Sequence, residues 1–246
     1  MRIAVVSDIH GNLPALTAVV ADFGRRGVDA VINLGDSLSG PLLPRETADF
    51  LMAQDWLHLA GNHERAILTP GPRSGASDAY AHAQLAPHHL AWIASQNHVA
   101  QAYGEVLACH GTPQHDYLAL LENADRAAAP DEVRQRLGET TAALVLCGHS
   151  HVPRSVRCHG RLIVNPGGVG LPGYYDDQPY PYCIESGSPD ARYAIVEQVA
   201  GAWSVALHTV AYDFSHMARL ALERGRPDWA SALATGYVAR DTWPPA

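Results

Sequence analysis

Six short apolar runs, at residues 3–7, 30–33, 56–59, 106–109, 144–147 and 162–164, each stop at a polar cluster, and this punctuation constrains the fold more than any other feature of the chain. Their length and β-branched content predict buried strands. Helical patterns fill gaps between them at 13–26, 45–54, 78–95 and 130–138. A strand–helix–strand–helix–strand order favours a largely parallel sheet covered by helices. In such sheets ligands gather just beyond the carboxyl ends of the strands. The polar clusters there are the candidate site.

The second half adds alternating stretches near 155–157, 192–199 and 203–210, which read as hairpin partners in a second sheet. A Pro- and Gly-rich piece at 69–75 reads as a loop between helices. Residues 172–189 read as a long connection of the functional or mobile kind. Tyr174, Tyr175, Tyr180 and Tyr182 within it are expected to pack a loop or an interface rather than stack on a nucleobase. The tail at 214–240 reads as two helices divided at Gly225-Arg226-Pro227. Residues 1–246 are thus expected to form one domain, with a C-terminal helical addition from about residue 211.

Composition narrows the function classes. With 47% apolar and 17% charged residues, the chain suits a sizeable core rather than disorder. A net charge of −8 argues against a sequence-independent grip on nucleic acid, which relies on Lys and Arg. The four cysteines form no C-x-x-C pair, and Cys109 and Cys147 lie in apolar runs, so buried free thiols are expected. The opening run is too short for a signal peptide and no stretch approaches a membrane span, so a soluble, cytoplasmic protein without membrane association is expected.

Taken singly, the polar clusters are weak signals. Asp8-Ile9-His10 places a carboxylate and an imidazole two residues apart, which suits an ion but equally a capped turn. Gly35-Asp36 is ordinary turn chemistry. Asn62, in Gly61-Asn62-His63-Glu64, offers an amide oxygen or a left-handed turn. A lone His110 is more often structural than a ligand. Gly148-His149-Ser150-His151 is the sharpest signal, because neutral imidazoles two apart after a strand and a glycine suit metal ligation.

Together the case changes. Five strand ends in order carry Asp8, His10, Asp36, Asn62, His110, His149 and His151, a mixed oxygen–nitrogen set suited to Mn, Fe, Zn, Co or Ni. That is too many ligands for one tetrahedral ion but fits two ions sharing a bridging aspartate. Paired ions roughly 3.5–4 Å apart are a common solution for phosphoryl chemistry.

The order Asp-x-His, Gly-Asp, Gly-Asn-His, His-Gly and Gly-His-x-His, over residues 2–170, resembles the calcineurin-like metallophosphoesterases. His110-Gly111-Thr112-Pro113, Asn165-Pro166-Gly167-Gly168-Val169-Gly170 and the tail after Ala211-Tyr212-Asp213 resemble the small bacterial and archaeal phosphodiesterase branch. The resemblance implies an α/β fold, a four-layer α-β-β-α sandwich of two mixed sheets. It implies two divalent ions, manganese being best suited to activity: one held by Asp8, His10 and His151, the other by Asn62, His110 and His149, with Asp36 bridging. It further implies catalytic roles for Asp36, Asn62 and His63, with a metal-bridging hydroxide attacking phosphorus and His63 protonating the leaving oxygen.

Departures from the family's branches are informative. Ser39 stands where purple acid phosphatases carry a tyrosine, and Gly35-Asp36-Ser37-Leu38-Ser39-Gly40-Pro41 lacks the arginine of the protein phosphatases. The expected activity is hydrolysis of small phosphodiesters or nucleotides. Dinucleoside polyphosphates of the diadenosine tetraphosphate type, cyclic nucleotides and phosphomonoesters are the alternatives. A nuclease is disfavoured by the acidic balance, and a protein-binding scaffold by the complete ligand set. Expected partners are a small phosphoester or nucleotide and, at most, a second copy of the chain, with no stable nucleic-acid complex. His115, close after the His110 loop, is a weaker candidate for facing substrate. Gly167, Gly168 and Gly170 read as a tight turn beneath the ligands rather than an anion-binding nest.

Overall fold

The computed structural model describes residues 1–71, 74–176 and 181–239. Tyr180, Arg240 and part of the 69–75 piece lie outside the described residues. The chain begins β1 (Arg2–Val6), α1 (Leu13–Arg26), β2 (Ala30–Asn33), α2 (Pro44–Met52), β3 (Leu57–His58). Three helices follow, α3 (Asn62–Leu68), α4 (Ala76–Gln84) and α5 (Pro87–Ala94), then β4 (Val99–Ala102), β5 (Val106–Cys109), α6 (Pro130–Leu137) and β6 (Leu144–Leu146). Next come β7 (Arg154–Cys158), β8 (Arg161–Asn165), β9 (Gly173–Asp176), β10 (Tyr182–Glu185), β11 (Ala191–Val199) and β12 (Ala202–Val210). The C-terminal helices are α7 (Ser215–Glu223) and α8 (Pro227–Thr235).

Local chemistry explains the element boundaries. Asn12 Oδ1 accepts the Ala15 N–H at 3.2 Å to open α1, and Arg25 and Arg26 complement the helix dipole in its last turn. The single helix expected over 78–95 is instead two. Pro87 has no N–H and forces Ala86 to an extended ψ of 163°, so α4 stops and α5 restarts.

Two five-stranded mixed sheets face each other, in the orders β12-β11-β1-β2-β3 and β4-β5-β6-β8-β7. Alternation sorts the side chains. Ile3 and Val5 of β1 meet Val106, Ala108, Leu144 and Leu146 between the sheets, whereas Ala4 and Val6 face Leu16, Val19 and the other helices of the outer layer. On the second sheet Leu107, Cys109, Val145 and Cys147 turn outward under Val133 and Leu137 of α6. The result is the helix–sheet–sheet–helix layering that the family resemblance implies. A fourth cluster joins Met217 and Ala221 of α7 to Trp229 and Leu233 of α8, packed on Leu42 and Leu171.

The stretches at 192–199 and 203–210 were expected in the second sheet, and here the structure differs. β11 pairs antiparallel with β1, and β12 with β11, so both extend the first sheet. β11 is covered on both faces: Ala194 and Val196 join the core between the sheets, and Tyr193 and Ile195 join the outer one. That double burial selects an interior position beside β1. The long connection at 172–189 contains the hairpin β9–β10.

His58 of β3 sits among aromatic rings, 5.9 Å from Trp56 and 5.2 Å from Trp92 between centroids. Burial pushes its pKa from 6.5 down to about 4. Between those values the unfolded chain binds the extra proton, so stability falls as pH drops through this window. Denaturant midpoints measured from pH 7 to 4 should therefore decline less steeply for His58→Leu than for the wild type. Parallel profiles would contradict this account.

Candidate metal centre

Parallel pairing brings the strand ends together. Val6 is in register with Asn33, and Asn33 with His58, so Asp8, Asp36 and Asn62 leave the first sheet along one edge. On the second sheet Ala108 pairs with Leu146, which places His110 beside the His149–His151 turn. Backbone hydrogen bonds lock the loops to one another. The Asp8 and His10 N–H groups donate to the Gly35 and Asp36 carbonyls at 3.0 Å each, and Gly148 N–H to His110 O at 2.6 Å.

All seven sequence-predicted ligands converge here, in two groups. The donor atoms of Asp8, His10 and His151 lie within 4.8 Å of one another, as do those of Asp36, His110 and His149. Asn62 Oδ1 joins the second group, 3.0 Å from His149 Nδ1. Asp8, Asp36 and His110 are buried essentially completely, and Asn62 and His149 are half-buried. Asp8, His10, Asp36, His149 and His151 all have positive φ, between 51° and 67°. Gly61 has no room for a side chain, since a Cβ there would collide with the Asp36 carboxylate and approach His110 Cε1 to 2.8 Å.

Three imidazoles are tethered through Nδ1 to backbone carbonyls: His10 to Ser39 at 2.9 Å, His151 to Leu171 at 2.7 Å, and His110 to Leu34 at 2.9 Å. A carbonyl only accepts, so Nδ1 carries the proton and Nε2 of the neutral ring is left with a lone pair. His10 Nε2 then lies 3.2 Å from His151 Nε2, and His151 Nε2 lies 3.3 Å from Asp8 Oδ1. Two lone pairs and a carboxylate facing one another are unfavourable unless a cation sits among them. Both Asp8 carboxylate oxygens are buried without a hydrogen-bond partner. His110 Nε2 is 3.0 Å from Asp36 Oδ2, so a proton on that nitrogen pairs the two groups where a cation would otherwise sit. Orphaned buried polar atoms of ligand type, with oriented rings behind them, fit a pair of divalent ions.

A third group, Asp49, His88 and His89, is also close in space. There His89 Nδ1 accepts the Ala86 N–H at 3.1 Å, so Nε2 carries the proton and donates to Asp49 at 2.8 Å. No lone pair of His89 remains for an ion.

Electrostatics divides the histidines. Burial lowers His10 to about 3 and His149 to about 4, with His151 reinforcing the first and His110 the second. Burial also disfavours charge on His110 and His63, but Asp36 outweighs it, raising His110 to about 9 and, with the Asp78 hydrogen bond, His63 to about 10. Burial opposes ionisation of Asp36 too, yet His110 and His63 hold its carboxyl well below the usual range. The positive charge His110 lends Asp36 is what a cation would supply, so metal binding competes with that proton.

His63 lines the same cavity as His10, Asp36, Asn62, His149 and His151, its ring centroid 5.4 Å from that of His10. Its backbone N–H donates to Asp36 Oδ1 at 2.9 Å and its Nδ1 lies 2.7 Å from Asp78 Oδ1, which also accepts from Ser39 Oγ at 2.7 Å. Sequence reasoning missed Asp78, which reaches the site only because α4 folds back on α3. It also missed Glu64. Its buried carboxylate accepts the backbone N–H groups of Asp36, Ser37 and Gly61, at 2.8 Å each, and so ties the second loop to the third. The position of Glu64 three residues after Gly61 is a capping-box signal that could have identified it. His115 is exposed beside Tyr117 and does not line the cavity. The Val169 and Gly170 N–H groups donate to the Ser7 and Asp8 carbonyls, both at 3.0 Å, which is the structural role expected of that glycine turn.

Residues 1–186 match the calcineurin-like phosphoesterase superfamily domain. The chain belongs to that family and is a phosphoester hydrolase of its class; the family implies divalent metal ions. The uncharacterized protein MJ0912 of Methanocaldococcus jannaschii is 26% identical over 250 residues, spanning 92% of this chain and 94% of its own. A metallophosphoesterase from Sphaerobacter thermophilus is 27% identical, with a TM-score of 0.77 over 96% of this chain and 100% of that one. The hypothetical protein PH1004 from Pyrococcus horikoshii OT3 shares the fold at 17% identity, with a TM-score of 0.74 over 97% and 99% of the two chains. Among the described residues no helix is long and apolar enough to cross a membrane.

Ligand linkage predicts the consequence of filling the site. An ion at a hundredfold its dissociation constant stabilises the fold by about 2.7 kcal/mol. Thermal midpoints should therefore rise when manganese replaces EDTA, and rise less in Asp8→Asn. Equal midpoints in EDTA and manganese would contradict the fit.

Proposed function

We propose that this chain is a dimetal phosphodiesterase acting on small phosphodiesters or nucleotides. The observation that carries the reading is that the untethered Nε2 atoms of His10 and His151, which line the cavity, face each other and the buried, unpartnered carboxylate of Asp8. Asp8, His10 and His151 would hold one ion, Asn62, His110 and His149 the other, with Asp36 shared. Bound there, two divalent ions supply Lewis acidity toward phosphoryl oxygens and lower the pKa of water. Manganese is the ion we expect to support activity best.

The chain's own groups do the rest. Asp36, turned inward by its left-handed backbone, receives the His63 N–H and so couples the ligand set to the acid. His63, held at Nδ1 by Asp78, keeps Nε2 as the donor that protonates the leaving oxygen. Glu64 fixes the relative position of Asp36 and Asn62. Two clefts meet at His149, Tyr174 and Tyr182, one of about 320 Å³ and one of about 70 Å³. A phosphodiester has two organic arms and a monoester one, so the double cleft favours the diester.

Metal-stripped protein restored with manganese should hydrolyse bis-p-nitrophenyl phosphate. His63→Ala should lower kcat by ~10²–10⁴-fold, Asp78→Asn by less, and Asp36→Asn should abolish turnover. Activity that survives Asp36→Asn would sink the site assignment, and a preference for phosphomonoesters would sink the diester reading.

A further inference from the structure

The wall of the larger cleft is not made by the sheets alone. Arg226, at the N-terminal boundary of α8, and Asp228 and Trp229 within it line the cavity beside the ligand groups. The chain contains no lysine, and among the described residues lining this cavity Arg226 is the one arginine. Its guanidinium makes three hydrogen bonds, two of them through the side-on fork of Nε and Nη2. Nε and Nη2 donate to the two carboxylate oxygens of Asp228 at 3.0 and 2.6 Å, and Nη1 donates to Ser77 Oγ at 2.8 Å. The group also lies over the Trp229 ring, 5.6 Å from its centroid. Ser77 adjoins Asp78, which holds His63, so the pair is anchored next to the support of the candidate acid.

A two-pronged contact of this kind is how arginine takes a phosphate, because the guanidinium fork matches carboxylate and phosphate oxygens alike. Here Asp228 fills the fork and cancels the charge. A substrate arm bearing further phosphates would find the side-on fork of Nε and Nη2 already occupied. It would have to displace a carboxylate from a partly enclosed pair, where charge interactions are stronger than in water.

Resting on the phosphodiesterase reading above, we propose that Asp228 is a specificity-determining residue. By masking Arg226 it confines the cavity to one-phosphorus esters with uncharged arms and selects against dinucleoside polyphosphates. The same pair makes α8, which lies beyond the residues matched to the family domain, part of the substrate wall.

The test compares kcat/KM of manganese-loaded wild type and Asp228→Asn on bis-p-nitrophenyl phosphate and on diadenosine tetraphosphate. Wild type should prefer the diester. Freeing the fork should raise the ratio of tetraphosphate to diester by about tenfold, the size of one charge-assisted contact. The double variant Arg226→Gln/Asp228→Asn should return the ratio to near the wild-type value, which a general loosening of α8 would not do. An unchanged ratio in Asp228→Asn, or a rise that the double variant keeps, overturns the proposal. A wild type that prefers the tetraphosphate overturns it and leaves phosphoester hydrolysis standing, whereas a wild type that hydrolyses neither compound defeats both.

Discussion

Left-handed backbone at the strand ends is the constraint from which the site follows. Asp8, His10, Asp36, His149 and His151 each turn at positive φ directly after a strand, so ligand side chains that would otherwise diverge point into one space. Such conformations cost of order 1–3 kcal/mol each and persist only where the surroundings over-determine them. Here the surroundings are other loops of the same site. His10 is tied to Asp36, Gly148 to His110, and Gly170 to Asp8 through backbone hydrogen bonds, and Glu64 clamps three further N–H groups. Asp and His tolerate this region better than β-branched residues do. Ligand chemistry and backbone geometry therefore favour the same residue types.

The scaffold makes those tethers rigid. β1 is covered on both faces, and its neighbours β2 and β11 are hydrogen-bonded along its length, so Asp8 leaves a strand with no freedom to shift. The second sheet delivers His110 and His149 across a core made mostly of branched aliphatic residues. His110 Nδ1 then bonds to the Leu34 carbonyl of the first sheet's loop, so the tautomer of this candidate ligand depends on the two sheets being seated together.

Much of this was legible in the residues. Each ligand follows an apolar run within a few positions, and parallel strands share an edge, so the order of five motifs was enough to predict convergence. What escaped was carried by contacts distant in sequence. Neither the pairing of β11 with β1 nor the turn of Asp78 toward His63 leaves a local pattern. The break at Pro87 was visible as a residue but was overridden by apolar periodicity on both sides. The contribution of α8 to the cavity wall depends on the docking of Trp229 and Arg226 against loops far earlier in the chain, which no spacing rule encodes.

Whether seven residues hold two ions through a shared Asp36 is read from metal stoichiometry at saturation, by titration calorimetry on stripped protein with elemental analysis of the loaded product. Two equivalents of manganese per chain are expected for the wild type and one or fewer for Asp36→Asn, with the fold intact. Saturation of the wild type at a single equivalent, or two equivalents retained by Asp36→Asn, would contradict the shared-aspartate assignment.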